Sequence, residues 1–287
     1  MNCWRKRSYL GAIFFFSAVL VFSGCSSSTS ERDPNQEENN TTQIQKTETP
    51  VFLTELEIEE MYTNPKAFKG KKYEFNAKVF TEPERDSDGV YFQAFADPAN
   101  SEKNTIIGYP DPNFTVSNGD YIHVVGTVHD EFKGENLFGA KIVAPMILAD
   151  EITIIDYVTA VAPAIKTVEV NQEIEQHGYI MKLQKIEFAE IETRVYIEIT
   201  NNSSDTIYFH DFNAKLIQGN RQFETKHNFE ADYKEIQSEI LPGIKSDGIL
   251  VFEPIDPAQG DIKLIAEGSS NNWELNFVPF EFVVSIE

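Results

Sequence analysis

In the stretch YEFNAKVF, residues 73–80, apolar side chains stand at every second position: Tyr73, Phe75, Ala77 and Val79 share one face. A period of two belongs to an extended strand with one buried face; a helix needs recurrence at three and four. VYFQAFAD (90–97) repeats the pattern, with Val90, Phe92, Ala94 and Ala96 on one side and Tyr91, Gln93 and Phe95 on the other. NTIIGY (104–109), YIHVVGTV (121–128), NLFGAKI (136–142) and EITIID (151–156) continue the series. Beyond residue 165 come TVEVNQEI, GYIMKLQKIEFAE, RVYIEITNNS, DFNAKLIQ, RQFET, DGILVFEP, DIKLIAE and WELNFVPFEF, each alternating or rich in β-branched and aromatic residues. Such a chain is mainly β, built of antiparallel sheets. One early segment departs from the pattern. In LTELEIEEMYTNP, Thr54 precedes acidic residues, Leu53, Leu56, Met61 and Tyr62 recur at near-helical spacing, and Asn64-Pro65 closes a short N-terminal helix.

The alternation lapses at VTAVAPAIK (158–166), around Pro163, which divides the folded part into residues 52–157 and 165–287. In the first unit, five strands separated by turn signals such as Asn118-Gly119-Asp120 suggest a small barrel. The order of parts, with GDYIHVVGTV (119–128), YEFNAKVF and NLFGAKIV, resembles the bacterial OB domains grouped with the tRNA-anticodon-binding type. The resemblance implies a five-stranded OB-like barrel whose second and third strands carry a binding face for oligonucleotides or oligosaccharides. Tyr91, Gln93 and Phe95 would lie on that face as candidate ligand-binding residues, offering rings on which bases or sugars stack. The plainer reading of the same side chains is packing against the N-terminal helix or the second unit. Glu82, Glu84, Asp86, Asp88 and Asp97 crowd the region with almost no basic residue beside them, which disfavours nucleic acid. ERDSDG (84–89) matches only a fragment of a calcium loop and sits between strands, so it reads as a hairpin turn.

The second unit has seven to eight short strands and, at Gly219-Asn220, a two-residue hairpin signal. That argues an antiparallel sandwich. RVYIEITNNSSDTI (194–207), followed by DFNAKLIQGNRQFET and LPGIKSDGILVFEP, resembles the telokin-like, immunoglobulin-fold domain common in bacterial surface lipoproteins. The resemblance implies an immunoglobulin-like fold and a surface location, and no activity.

Residues 1–24 read as a secretory leader: Arg5, Lys6 and Arg7, then an apolar centre from Tyr9 to Phe22, then Ser23-Gly24. That centre is shorter than the ~20 residues a spanning helix needs, although an uncleaved anchor is the alternative. Phe22-Ser23-Gly24-Cys25 resembles the lipobox of bacterial lipoproteins, with Phe22 where the family usually carries leucine. The resemblance implies that Cys25 receives a diacylglyceryl group, becomes the N-terminus, and holds the protein on the extracytoplasmic face of the cell membrane. Two acyl chains anchor stably where one does not. Residues 25–50 then form a polar linker, with Ile44 the single apolar side chain in 26–50. Such a segment buries too little to offset its ordering entropy. It spans roughly 28 Å as a flexible coil.

Apart from Cys25 the chain has only Cys3, in the leader, so the mature form has no internal disulfide and no free thiol for catalysis. There are 46 acidic and 24 basic side chains, a net charge of −22, or −25 once the three leader cations are removed. Such a balance favours a neutral or cationic partner over nucleic acid or an anionic surface. The five histidines, at 123, 129, 177, 210 and 227, show no metal-ligand spacing. No GxSxG, SxxK, P-loop or CxxC is present, and the sequence calls for no metal and no cofactor. The expectation is a non-enzymatic binding or scaffolding module of the cell envelope that engages a protein or an envelope polymer. An oligosaccharide or oligonucleotide binder and an envelope hydrolase are the alternatives.

Overall fold

The computed structural model describes residues 50–286 apart from 136–138 and 140. The chain is mainly β, with several antiparallel sheets and one short helix ahead of them.

Helix α1 spans Glu55–Thr63 and starts on a reciprocal cap. Glu57 N donates to Thr54 Oγ1 at 3.4 Å, while Thr54 N donates to Glu57 Oε2 at 2.9 Å. Glu55 and Glu57 complement the positive end of the helix. Met61 is fully buried, whereas Leu56 faces water, so only part of the apolar spacing serves the core. Pro65–Phe68 adds a single 3-10 turn.

The first sheet comprises β1 (Lys72–Val79), β2 (Glu84–Arg85), β3 (Val90–Asp97), β4 (Glu102–Tyr109), β5 (Tyr121–Glu135) and β6 (Lys141–Ile155). The strand order is β1-β5-β6-β4-β3-β2, and pairing of Lys78 with Phe95 and Val79 with Ala94 joins β1 back to β3. Five strands thereby close a ring. All its pairings are antiparallel except β4 with β6, where Ile106 lies beside Met146. Phe75, Ala77, Val79, Phe92, Ile107, Ile122, Val124 and Ile147 fill the inside together with Met61.

Two extended pieces were expected after β5, NLFGAKI and EITIID. One continuous β6 replaces them, pairing with β5 along its whole length. Asn136–Phe138 and Ala140 of the first piece lie outside the described residues. The apolar run between the pieces carries the strand on, and register shifts at Val125/Gly126 and Val128/Asp130 let the long pair bend. Gly126 is required there, because a Cβ would come 2.7 Å from Ile147 and 2.8 Å from the Leu148 carbonyl.

Helix α2 (Tyr157–Val161) occupies the segment where alternation lapses, its start capped by Asp156, which accepts from Thr159 N at 2.7 Å. The second unit follows with β7 (Ala164–Gln176), β8 (Tyr179–Ala189), β9 (Thr193–Asn201), β10 (Ile207–Phe209), β11 (Lys215–Gln218), β12 (Arg221–Glu224), β13 (Glu239–Ile240), β14 (Lys245–Phe252), β15 (Ile262–Ala266), β16 (Gly268–Ser270) and β17 (Phe280–Val284). They form two four-stranded antiparallel sheets, β14-β9-β8-β7 and β12-β11-β15-β17, and a three-stranded piece, β13-β10-β16. Side chains from all three meet in one core that includes Phe188, Ile197, Phe209, Leu216, Phe252, Leu264 and Phe282. Gly219-Asn220 is a two-residue loop, with Gln218 paired to Arg221 and Gly219 at φ +58°.

One strand was expected from Trp273 onward, but extended pairing starts only at Phe280. Asn272 turns the chain instead: its side-chain oxygen accepts from Glu274 N and its carbonyl from Leu275 N, leaving Trp273 87% exposed.

Candidate functional site

Strand alternation on β3 turns Val90, Phe92 and Ala94 inward and Tyr91, Gln93 and Phe95 to the outside of the ring. The Tyr91 ring lies over Gly108 of β4, where an added Cβ would sit 3.2 Å from it. It remains 40% exposed. Phe95 stacks on Phe80, with centroids 4.0 Å apart and planes 16° from parallel. Between the two rings, Asn104 donates from Nδ2 to Gln93 Oε1 at 3.1 Å, and Thr81 Oγ1 accepts from the Gln93 backbone at 2.9 Å. The buried Oδ1 of Asn104 has no hydrogen-bond partner among the described residues. α1 does not lie on this row; its Tyr62 points to Thr105, on the interior side of β4, at 2.6 Å.

Acidic residues border the row. Glu82, Glu84, Asp86 and Asp88 are exposed, and none forms an ion pair among the described residues. Asp86 shapes the turn into β3, accepting from Asp88 N at 2.8 Å and Gly89 N at 3.1 Å, as a hairpin turn requires. Arg85, the nearby cation, is directed away to the carbonyls of Pro112 and Phe114. Partial burial, and then the charges of Asp86 and Asp88, push the Tyr91 hydroxyl above its ordinary pKa. Ring faces, amides and unpaired carboxylates together suit a neutral or cationic group. A phosphate would be repelled.

A second constellation lies where the two sheet systems meet. Lys78 of β1 forms an ion pair with Glu230, on the loop before β13. The Tyr121, Tyr157 and Tyr233 rings follow edge to face, with centroid distances of 5.6 and 6.0 Å. Asn76 donates to the Thr159 carbonyl at 3.3 Å, and Asn228 donates to Tyr157 Oη at 2.9 Å and Glu192 at 3.0 Å. Beneath them is Arg194, entirely buried, bonded to Glu187 and Glu192 and to the carbonyl of Ala162. Burial opposes its charge, but the hydrogen bonds to Glu192 and Glu187 outweigh that and raise its pKa. Burial likewise pushes Glu187 up, while bonds from Lys185, Tyr196 and Arg194 prevail and hold its carboxyl below the ordinary value.

Sequence reasoning missed this cluster. The available signal was an arginine inside the strand RVYIEI with Glu187 and Glu192 on the same hairpin, since a buried charge needs partners close by. The described histidines are dispersed: His123 meets Asn76 at 2.9 Å and Glu74 at 3.2 Å, His210 meets Ser269 at 3.2 Å, and His177 meets the Asn276 carbonyl at 3.2 Å. Cys25, the leader 1–24 and linker residues up to 49 lie outside the described residues. No helix among the described residues is long and apolar enough to cross a membrane.

No protein-family model and no curated protein matches the chain.

Proposed function

We propose that this protein is a lipid-anchored, extracytoplasmic binding module, held to the cell membrane through Cys25 and presenting the outer face of β3 and β4 to a neutral or cationic partner. The reading rests on one observation above others: an aromatic and amide row, Tyr91-Gln93-Phe95 with Asn104, bordered by carboxylates that have no cation partner among the described residues. Exposed rings bring contact area at little entropic cost, and unpaired charge at the border selects the partner. The leader and lipobox-like stretch support the location, and the polar linker supplies the reach.

Capture from cells by chemical cross-linking of the membrane-bound protein tests this. The wild type should retain a partner that the double variant Tyr91→Ala, Phe95→Ala loses, with its unfolding midpoint preserved. Equal recovery by the two proteins would remove the β3 face from consideration. The Gln93–Asn104 amide pair between two rings favours an oligosaccharide as the second reading, since amides and ring faces together suit sugar hydroxyls and C–H faces. Amide chemical-shift changes confined to β3 and β4 on adding neutral glycan fragments would support it over a protein partner.

A further inference from the structure

Among the described residues the ring of the first sheet closes through two residue pairs, Lys78 with Phe95 and Val79 with Ala94, and the adjoining backbone bond from Phe80 N to Gln93 O. From there β1 continues to Lys72 and β3 to Asp97, and the two strands part. The opening is a cleft of about 350 Å³, with the buried Tyr73 and Phe75 as its floor and Ile58 of α1, the Ala96–Pro98 turn and Ala160–Val161 of α2 as its walls. The floor rings stack on each other, with centroids 4.2 Å apart.

Strand alternation decides what the β1 edge offers here. Val79 N and O bond to Asp120 and Gly119, beside β5, whereas Lys72 O accepts from Leu53 N and Phe80 N donates to Gln93 O, both on the β3 side. Successive residues of a strand direct their backbone groups to alternate sides. Glu74 and Asn76 therefore aim their N–H and C=O groups into the cleft, between two positions already paired, and no described residue pairs with them there. The edge also takes a short added strand one step away, where Phe52 bridges Lys72 in parallel before the chain turns into α1. Residues 52 and 53 stop at the rim and leave the Glu74–Asn76 stretch open.

The carboxylates of Glu74 and Asp97 line the mouth, Glu74 lying 3.2 Å from His123 Nε2, while the neighbouring Lys103 is already paired with Glu59 at 2.7 Å. We infer that this cleft receives an extended segment of a partner protein, about three residues long and carrying a basic side chain, which adds to the β1 edge at Glu74 and Asn76. Backbone pairing supplies the register, the Tyr73–Phe75 floor takes an apolar side chain, and Glu74 with Asp97 selects the cation. This site is separate from the Tyr91 row and does not depend on that row binding anything.

The test titrates the full chain with the blocked peptide Val-Lys-Val-Lys-Val and follows backbone amide shifts and hydrogen exchange. Addition to the edge should move and protect Glu74 and Asn76. The same peptide with its alternate backbone nitrogens methylated should bind at least about tenfold more weakly, as should Val-Glu-Val-Glu-Val. In Glu74→Gln the preference for lysine over glutamate should shrink while the wild-type fold is kept. Absence of response at Glu74 and Asn76 at millimolar peptide, or equal binding of the methylated peptide, would overturn the inference.

Discussion

Arg194 donates from Nη1 to the carbonyl of Ala162, 2.8 Å away, and so ties β9 of the second unit to the end of α2. The guanidinium is fully buried and shared among Glu187, Glu192 and that carbonyl, with Nη2 3.0 Å from Glu187 but not aligned for a hydrogen bond. A main-chain acceptor and two carboxylates on one cation fix β9 and the β8–β9 turn against the end of α2. The phenolic Tyr233, bonded to Glu192, and Tyr196, 2.8 Å from Glu187, complete the shell.

Replacing Arg194 by methionine should therefore destabilise the protein strongly, by about 3–5 kcal/mol, because Glu187 and Glu192 are left buried without their cation. Urea unfolding followed by tyrosine fluorescence measures it. A loss within the range of an ordinary surface change, under about 0.5 kcal/mol, would mean that water or another group readily takes over the arginine's role.

Acid should weaken the same junction. The folded pKa of Glu187 lies below its ordinary value of 4.5, so its charge stabilises the native state above the unfolded pKa, and that contribution disappears as pH falls from there through the folded pKa. Stability measured from about pH 6 down to pH 3 should fall more steeply in the wild type than in Glu187→Gln. Parallel acid limbs for the two proteins would contradict the assignment.

Cys25→Ala should abolish lipid attachment and release the folded portion from the membrane fraction. The check is phase partitioning together with intact mass. Unchanged partitioning with the same lipid mass shift as wild type would place the anchor elsewhere.

Short single-stranded DNA should bind poorly. Counterion release needs cations to neutralise phosphates, and the Tyr91 row is bordered by unpaired carboxylates. Stacking on Tyr91 and Phe95 contributes at most ~1–3 kcal/mol per base against that repulsion. A binding isotherm at low and physiological salt decides it; tight binding that weakens steeply with salt would reverse the charge argument.

Much of the architecture was legible in the chain because it is encoded locally. Thr54 and Glu57 cap α1 through neighbouring atoms, Gly219-Asn220 makes a turn from its own torsions, and β1 and β3 bury alternate residues as their period of two requires. The outward position of Tyr91, Gln93 and Phe95 follows from the same alternation. Two expected elements went differently because their residues are ambiguous at short range. The apolar run after Lys141 suits one long strand as well as two pieces, and pairing with β5 selected one. The aromatic residues after Trp273 look strand-like, yet the Asn272 side chain captures the backbone first.

Alternation could not reveal what surrounds a side chain once strands distant in sequence come together. That Phe80 covers Phe95 and that β1 parts from β3 after two pairs are results of ring closure, and Asn104 reaches Gln93 because β4 folds back beside β3. Arg194 shows the difference most plainly. Its place in an alternating strand marks it for one face, but only the docking of α2 brings the Ala162 carbonyl within 2.8 Å, 32 positions away in the chain. Local propensity sets which backbone states are cheap. The partners of a buried charge are chosen by packing, because the desolvation cost falls on the folded molecule as a whole.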